Sequence, residues 1–78
     1  MISAEVAIYP LKTTDASKVI NNSISTLKNE KVDYDVNSMN TKLTGSKEEI
    51  FNSLEKMFTE AENSGSEVSM VITVTNSV

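Results

Sequence analysis

The chain has 78 residues, enough for one domain near the lower end of the sizes that fold alone. It contains no cysteine and no histidine, which excludes disulfides, thiolate metal sites and the usual general base near neutral pH. Seven basic residues against eleven acidic ones give a formal net charge of −4, so we expect no nucleic-acid partner.

The first half of the chain predicts a strand followed by a helix. Apolar residues alternate with others over residues 2–9, which places Ile2, Ala4, Val6 and Ile8 on one face of a first strand. Thr14 or Asp15 can then cap a helix that runs to about Glu30. Its apolar face consists of residues at helical spacing: Ala16, Val19, Ile20, Ile24 and Leu27.

The middle of the chain predicts a β-hairpin. Val32, Tyr34 and Val36 alternate with two aspartates in a second strand, and Asn37-Ser38 form the turn. A third strand follows, in which Met39, Thr41 and Leu43 share the inward face. Gly45 ends this hairpin.

The last third of the chain predicts a second helix and a fourth strand. Ser46 and Glu49 have the spacing of a capping box, and Gly65 is expected to end the helix in a left-handed conformation. The apolar face of this helix is Ile50, Leu54, Met57, Phe58 and Ala61. Residues 67–75 alternate again, with Val68, Met70, Ile72 and Val74 inward.

The resulting order, β-α-β-β-α-β, predicts a single α+β domain over residues 1–78. We expect a ferredoxin-like sandwich: a four-stranded antiparallel sheet with both helices on one face and the first and last strands central. The outer sheet face, meaning the side of these two strands away from the helices, carries one acid among small, hydroxylated and apolar groups. It consists of Ser3, Glu5, Ala7, Tyr9, Ser69, Val71, Thr73 and Thr75. Such a face favours association with a second copy, so we expect a dimer or tetramer.

Two sequence features bear on location. No apolar run approaches the roughly 20 residues that cross a bilayer, and no charged start precedes an apolar segment of the signal-peptide type. We therefore expect a cytoplasmic protein with no membrane partner.

Catalysis is not expected from these residues. Asp33 and Asp35 lie on one face of the second predicted strand and could hold a hard cation or serve acid–base chemistry. No further ligands stand at a recognisable spacing, so a solvated edge-strand face is the preferred interpretation. Gly45 alone cannot form a phosphate loop, and no nucleophile has a histidine or cysteine beside it. We expect no metal, no cofactor and no enzymatic activity.

Glu5 leaves two alternatives open. It lies in the middle of the first strand with Tyr9 on the same side, which suits a half-exposed residue at a subunit interface. It also suits a carboxylate that recognises a small cationic or amino-bearing ligand, with Tyr9 and Met39 as flat apolar contacts. Met39 and Thr41 are expected in the core by default, whereas the polar segment from Asn37 to Thr41, including Ser38, could line the mouth of a pocket.

These residues also carry a family resemblance. Ala4-Glu5-Val6, followed by Tyr9-Pro10-Leu11, resembles the opening of the small thiamine-binding, YkoF-like proteins. The segment 38–41, followed by Gly45 and a capped helix, is similar to that family's Pro-Met-Gly-Thr turn, with serine and asparagine in place of the proline and glycine. The likeness in element order covers most of the chain.

The resemblance implies a ferredoxin-like fold, homo-oligomers and binding of thiamine or its hydroxymethylpyrimidine part. It assigns ligand binding to Glu5, Tyr9, Met39 and Thr41, and Ser38 joins them as part of the turn. A rival hypothesis of another class is a regulatory or structural protein-interaction module without a small ligand, because fold alone does not fix function.

Overall fold

The chain folds into four strands and two α-helices within residues 1–65 and 67–77, the part that the computed structural model describes. A short 3₁₀ helix, Thr26–Asn29, follows the first α-helix. The elements are β1 (Ile2–Pro10), α1 (Ala16–Ser25), β2 (Asp33–Val36), β3 (Thr41–Gly45), α2 (Lys47–Gly65) and β4 (Val68–Thr75).

The sheet has the order β2-β3-β1-β4, and every neighbouring pair is antiparallel. The two helices pack against each other and against β1. This confirms the ferredoxin-like α+β fold predicted from the order of elements. No helix among the described residues combines the length and apolarity that a bilayer crossing requires.

The expectation that the first and last strands are both central was wrong. β1 is central and lies beside the second central strand, β3, whereas β4 is the edge strand next to β1. The reason lies in how the two β-α-β units interleave. Each unit leaves a gap one strand wide between its own strands, so β3 fills the gap between β1 and β2, and β1 fills the gap between β3 and β4.

The core lies between the inner face of the sheet and the two helices. It is formed by buried apolar side chains from β1, the 3₁₀ helix, β3 and α2: Ile2, Ala4, Val6, Leu27, Leu43, Ile50, Leu54 and Met57. Phe58, which the helical spacing placed on the core face of α2, is instead exposed. The buried stripe of α2 runs through Ser53, Leu54, Met57 and Ala61, and residue 58 lies about 100° further round the helix.

Both predicted helix starts are present. Asp15 Oδ1 accepts from the Lys18 amide at 3.2 Å, and Ser46 Oγ accepts from the Glu49 amide at 3.2 Å. The end of α1 comes earlier than predicted, at Ser25. The Ser25 and Thr26 hydroxyls each donate to the backbone carbonyl three residues earlier, at 2.8 Å, and such bonds compete with regular helix formation.

Gly65 has a different role from the one expected. It is the last residue of α2, and its φ lies outside the left-handed region. A Cβ atom at this position would lie 3.1 Å from both Cγ atoms of Val19 on α1. Glycine therefore allows the end of α2 to approach α1 closely.

Two buried serines at the helices give opposite expectations for stability. Ser23 Oγ donates to the Met57 carbonyl oxygen at 2.7 Å, whereas Ser53 Oγ has no hydrogen-bond partner within the described part of the chain. Ser23→Ala should destabilise the domain by about 1 kcal/mol, because it removes a buried bond. Ser53→Ala should stabilise it by about 1 kcal/mol, because it removes an unsatisfied buried hydroxyl and improves helix propensity.

Urea denaturation of the two variants beside the parent protein measures both differences, and each serine serves as the other's control. A Ser53→Ala variant less stable than the parent would contradict the packing described for α2.

Candidate ligand-binding cleft

A cleft of about 520 Å³ opens between α1, the second half of β1 and the β2–β3 turn, residues 37–40; it is called the α1 cleft below. It exists because the helices do not cover the sheet evenly. The inward-facing Tyr34 and Val36 of β2 remain 40% and 48% exposed. The apolar walls of the cleft include Val6, Ile8, Ala16, Ile20, Ile24 and Val36.

The polar groups of the α1 cleft are all neutral. The lining residues with side-chain amides or hydroxyls are Tyr9, Asn21, Asn37, Ser38, Asn40 and Thr41. Of the described residues that line the cleft, none carries a charge. A concave site with apolar walls and a few convergent hydrogen-bonding groups suits a small neutral molecule with flat faces and polar edges.

The β2–β3 turn owes its shape to Asn37. Its Oδ1 accepts from the backbone amides of Met39 and Asn40 at 2.8 and 3.0 Å. Its own backbone amide donates to the Asn40 carbonyl at 3.0 Å. Asparagine favours such turns because its side chain can replace a backbone acceptor. The turn therefore occupies residues 37–40, and β3 begins at Thr41.

Met39 corrects the predicted third strand. The alternating pattern placed it inward beside Thr41 and Leu43, but it lies in the turn and is 80% exposed. Thr41 does face inward and is buried. Met39 thus stands at the rim of the α1 cleft, and Thr41 lies inside it.

Glu5 lies outside the α1 cleft. It is exposed on the outer sheet face, opposite Lys42 on β3 and Thr73 on β4. Its Oε2 accepts from Asn40 Nδ2 at 2.8 Å. The structure therefore brings Tyr9, Ser38, Met39 and Thr41 to one cleft and places Glu5 on the other side of the sheet. Ligand binding by these five residues stays a prediction.

The two aspartates of β2 are exposed and lie on the same side of the sheet as Glu5, opposite Thr44 and Lys42. In residues 1–65 and 67–77, no group of three or more histidine, cysteine, aspartate or glutamate side chains is placed to hold a metal ion.

Several lining residues were not anticipated from the sequence. Asn21 lies outside the apolar face predicted for the first helix, and Val36 was predicted only as a residue of the second strand. Ile20 was expected in the core and is half-buried in the cleft wall. Periodicity assigns a face to each residue, but it does not tell how far a helix extends across the sheet. No local signal in the sequence indicates that α1 leaves β2 uncovered.

Solved structures share this fold, and each match covers most of the solved chain. Protein SP2199 from Streptococcus pneumoniae has a TM-score of 0.90 at 20% identity, over 99% of this chain and 87% of its own. A hypothetical protein, MJ1052, from Methanocaldococcus jannascii has a TM-score of 0.88 at 26% identity, over 99% and 80%.

A third similar structure is TM0486 from Thermotoga maritima, with a TM-score of 0.82 at 18% identity, over 94% of this chain and 80% of its own. That protein is described, provisionally, as a thiamine biosynthesis/salvage protein. A comparison with curated proteins finds no match. A family model described as the YKOF-related family matches residues 1–78. The chain therefore belongs to the YKOF-related family, as its first-strand and turn motifs predicted.

Proposed function

We propose that this protein binds hydroxymethylpyrimidine or thiamine in the α1 cleft and serves as a carrier, buffer or sensor without catalysing a reaction. The observation that carries the proposal is the cleft, which has apolar walls, neutral hydrogen-bonding groups and a volume of about 520 Å³. Known small-molecule sites span about 300–1,000 Å³. Membership in the YKOF-related family and the description of the Thermotoga maritima protein give further support.

The chemistry of an aminopyrimidine fits the groups available in the cleft. Its ring nitrogens accept and its amino group donates, and the side-chain amide of Asn21 can do both. The isoleucines of α1 offer apolar contact to the faces of the ring. Met39 at the rim adds a flexible thioether that adapts to the edge of a flat ligand.

The neutral lining favours the pyrimidine over intact thiamine. The thiazolium of thiamine carries a positive charge, and a buried cation without a paired anion pays a desolvation penalty. Glu5, the carboxylate assigned to this task from the sequence, lies on the other side of the sheet. We therefore expect hydroxymethylpyrimidine to bind at least as tightly as thiamine.

The proposal includes a homo-oligomer and no cofactor, and a cytoplasmic location remains a prediction. The outer sheet face supports association with a second copy, because among its eight residues Glu5 is the only charged one. The lack of histidine and cysteine in the sequence supports a binding role over catalysis.

Isothermal titration calorimetry with hydroxymethylpyrimidine and with thiamine tests the binding proposal. We expect a Kd below about 1 mM for the pyrimidine, which corresponds to about −4 kcal/mol. Asn21→Ala should weaken binding about fivefold, the loss of one hydrogen bond worth about 1 kcal/mol. Asn22→Ala is the matched control, because this neighbouring asparagine lies outside the lining of the α1 cleft.

A folded protein that gives no heat with any pyrimidine or thiazolium compound would defeat the proposal. The interaction module without a small ligand would then become the better hypothesis.

A further inference from the structure

We propose that Glu5 is a positioning residue, which fixes the β2–β3 turn at the mouth of the α1 cleft from the opposite side of the sheet. The inference rests on the proposed function in one respect, since it takes the α1 cleft to be the ligand site. It replaces the ligand contact that the sequence suggested for Glu5.

The first link is the hydrogen bond between Glu5 and Asn40. Glu5 is on the central strand β1, and Asn40 is the last residue of the turn, 35 positions away in the sequence. The Oε2–Nδ2 distance is 2.8 Å, within the range of a well-formed N–H···O hydrogen bond. Because Val6 pairs with Thr41, this bond lies next to the residue pair at which β3 begins.

The second link joins the two asparagines of the turn. Asn37 Nδ2 donates to Asn40 Oδ1 at 3.1 Å. Asn37 Oδ1, on the other side of the same amide, accepts from the backbone amides of Met39 and Asn40. A continuous series of hydrogen bonds thus leads from the Glu5 carboxylate to the backbone of the turn.

The groups at the two ends of this series fix its direction. An ionised carboxylate only accepts, so Asn40 must present its NH₂ group to Glu5 and its carbonyl oxygen to Asn37. Asn37 must then present its own NH₂ group to Asn40, which leaves its carbonyl oxygen free to accept from the turn amides. The backbone amides of Met39 and Asn40 can only donate, so they impose the same orientation on Asn37 from the other end of the series. Without Glu5, the Asn40 amide loses its hydrogen bond to β1, and the turn is no longer anchored to the central strand.

The residues that this network holds are those at the rim of the cleft. Ser38, Met39 and Asn40 line the α1 cleft, but Met39 is exposed and Asn40 is only half-buried. Because packing does not fix these residues, their positions depend on the hydrogen bonds of the turn. Removal of Glu5 should therefore loosen the rim and weaken ligand binding while the core, which Glu5 does not touch, keeps its stability.

Three variants test the proposal: Glu5→Ala, Glu5→Gln and the control Lys42→Ala. Gln keeps an acceptor oxygen for Asn40, and Lys42 is the exposed neighbour opposite Glu5 that lies outside the cleft lining. Amide hydrogen exchange at Met39 and Asn40, read by NMR, reports the turn without any ligand. Calorimetry with hydroxymethylpyrimidine reports the cleft, and thermal denaturation reports the fold.

We expect Glu5→Ala to accelerate exchange at Met39 and Asn40 and to raise the Kd, each by about three- to tenfold, the effect of a hydrogen bond worth about 1 kcal/mol. Glu5→Gln and Lys42→Ala should stay near the parent, and Tm should change little in all three. Unchanged exchange in Glu5→Ala would overturn the proposal. A Gln variant as impaired in binding as the Ala variant would also overturn it, because the charge itself would then be required. If the parent protein binds no pyrimidine, the exchange data still decide the role of Glu5, and the proposed function alone fails.

Discussion

Leu43→Ala is expected to destabilise the domain by about 2–5 kcal/mol, the range for truncating a buried leucine. Leu43 is fully buried on the central strand β3, between Ala4 on β1 and Tyr34 on β2. Its side chain belongs to the core shared by the sheet and both helices. A small domain has about 5 kcal/mol or little more in total, so the variant should be largely unfolded well below the melting temperature of the parent.

Leu11→Ala is the matched control, because it removes the same atoms from a side chain that is 58% exposed. We expect its free energy of unfolding, measured by urea denaturation, to stay within about 0.5 kcal/mol of the parent value. An equal decrease in the free energy of unfolding in the two variants would show that Leu43 is not at the centre of the core.

Val71→Lys is expected to leave only single chains at about tens of micromolar protein, where the parent is proposed to form a homo-oligomer. Val71 projects from the outer sheet face opposite Ala7 and is 58% exposed in the isolated chain. A lysine between two such faces would lose its hydration, and removing a charge from water opposes association by several kcal/mol. Sedimentation equilibrium measures the mass in solution directly.

The control for this variant is Thr59→Lys, which adds the same residue and the same charge on the exposed side of α2. It should leave the mass distribution unchanged. A parent protein that sediments as a single chain at this concentration would refute the assembly, and equal dissociation in both variants would refute the role of the outer sheet face.

Much of the fold could be predicted from the sequence because its signals are local. The alternation in β1 and β4 and the caps at Asp15 and Ser46 depend on neighbours within a few residues. The position of β4 at the sheet edge was missed because alternation reports which face is buried, not how many strands lie alongside. The role of Gly65 was missed because its reason is the close approach of Val19, 46 positions earlier in the sequence (65 − 19).

The site could be predicted only in part, for a reason that lies in strand geometry. Glu5 and Val6 are consecutive, so they face opposite sides of the sheet. Val6 pairs with Thr41, and therefore Glu5 and Thr41 cannot share a pocket within the sheet. Tyr9, four residues after Glu5, lies on the same face of β1 as Glu5. It is nevertheless part of the cleft lining because it lies near the end of β1. Met39 joins the rim because the turn extends two residues further than the alternation suggested.

NMR can show whether a neutral pyrimidine occupies the α1 cleft. ¹⁵N-labelled protein would be titrated with hydroxymethylpyrimidine while backbone amide shifts are followed. We predict saturable shifts at Ile20 and Asn21 on α1 and at residues 39–41, with little change at Thr73 and Thr75 on the outer sheet face. Shifts confined to the outer sheet face, with α1 and the turn unaffected, would contradict binding in the α1 cleft.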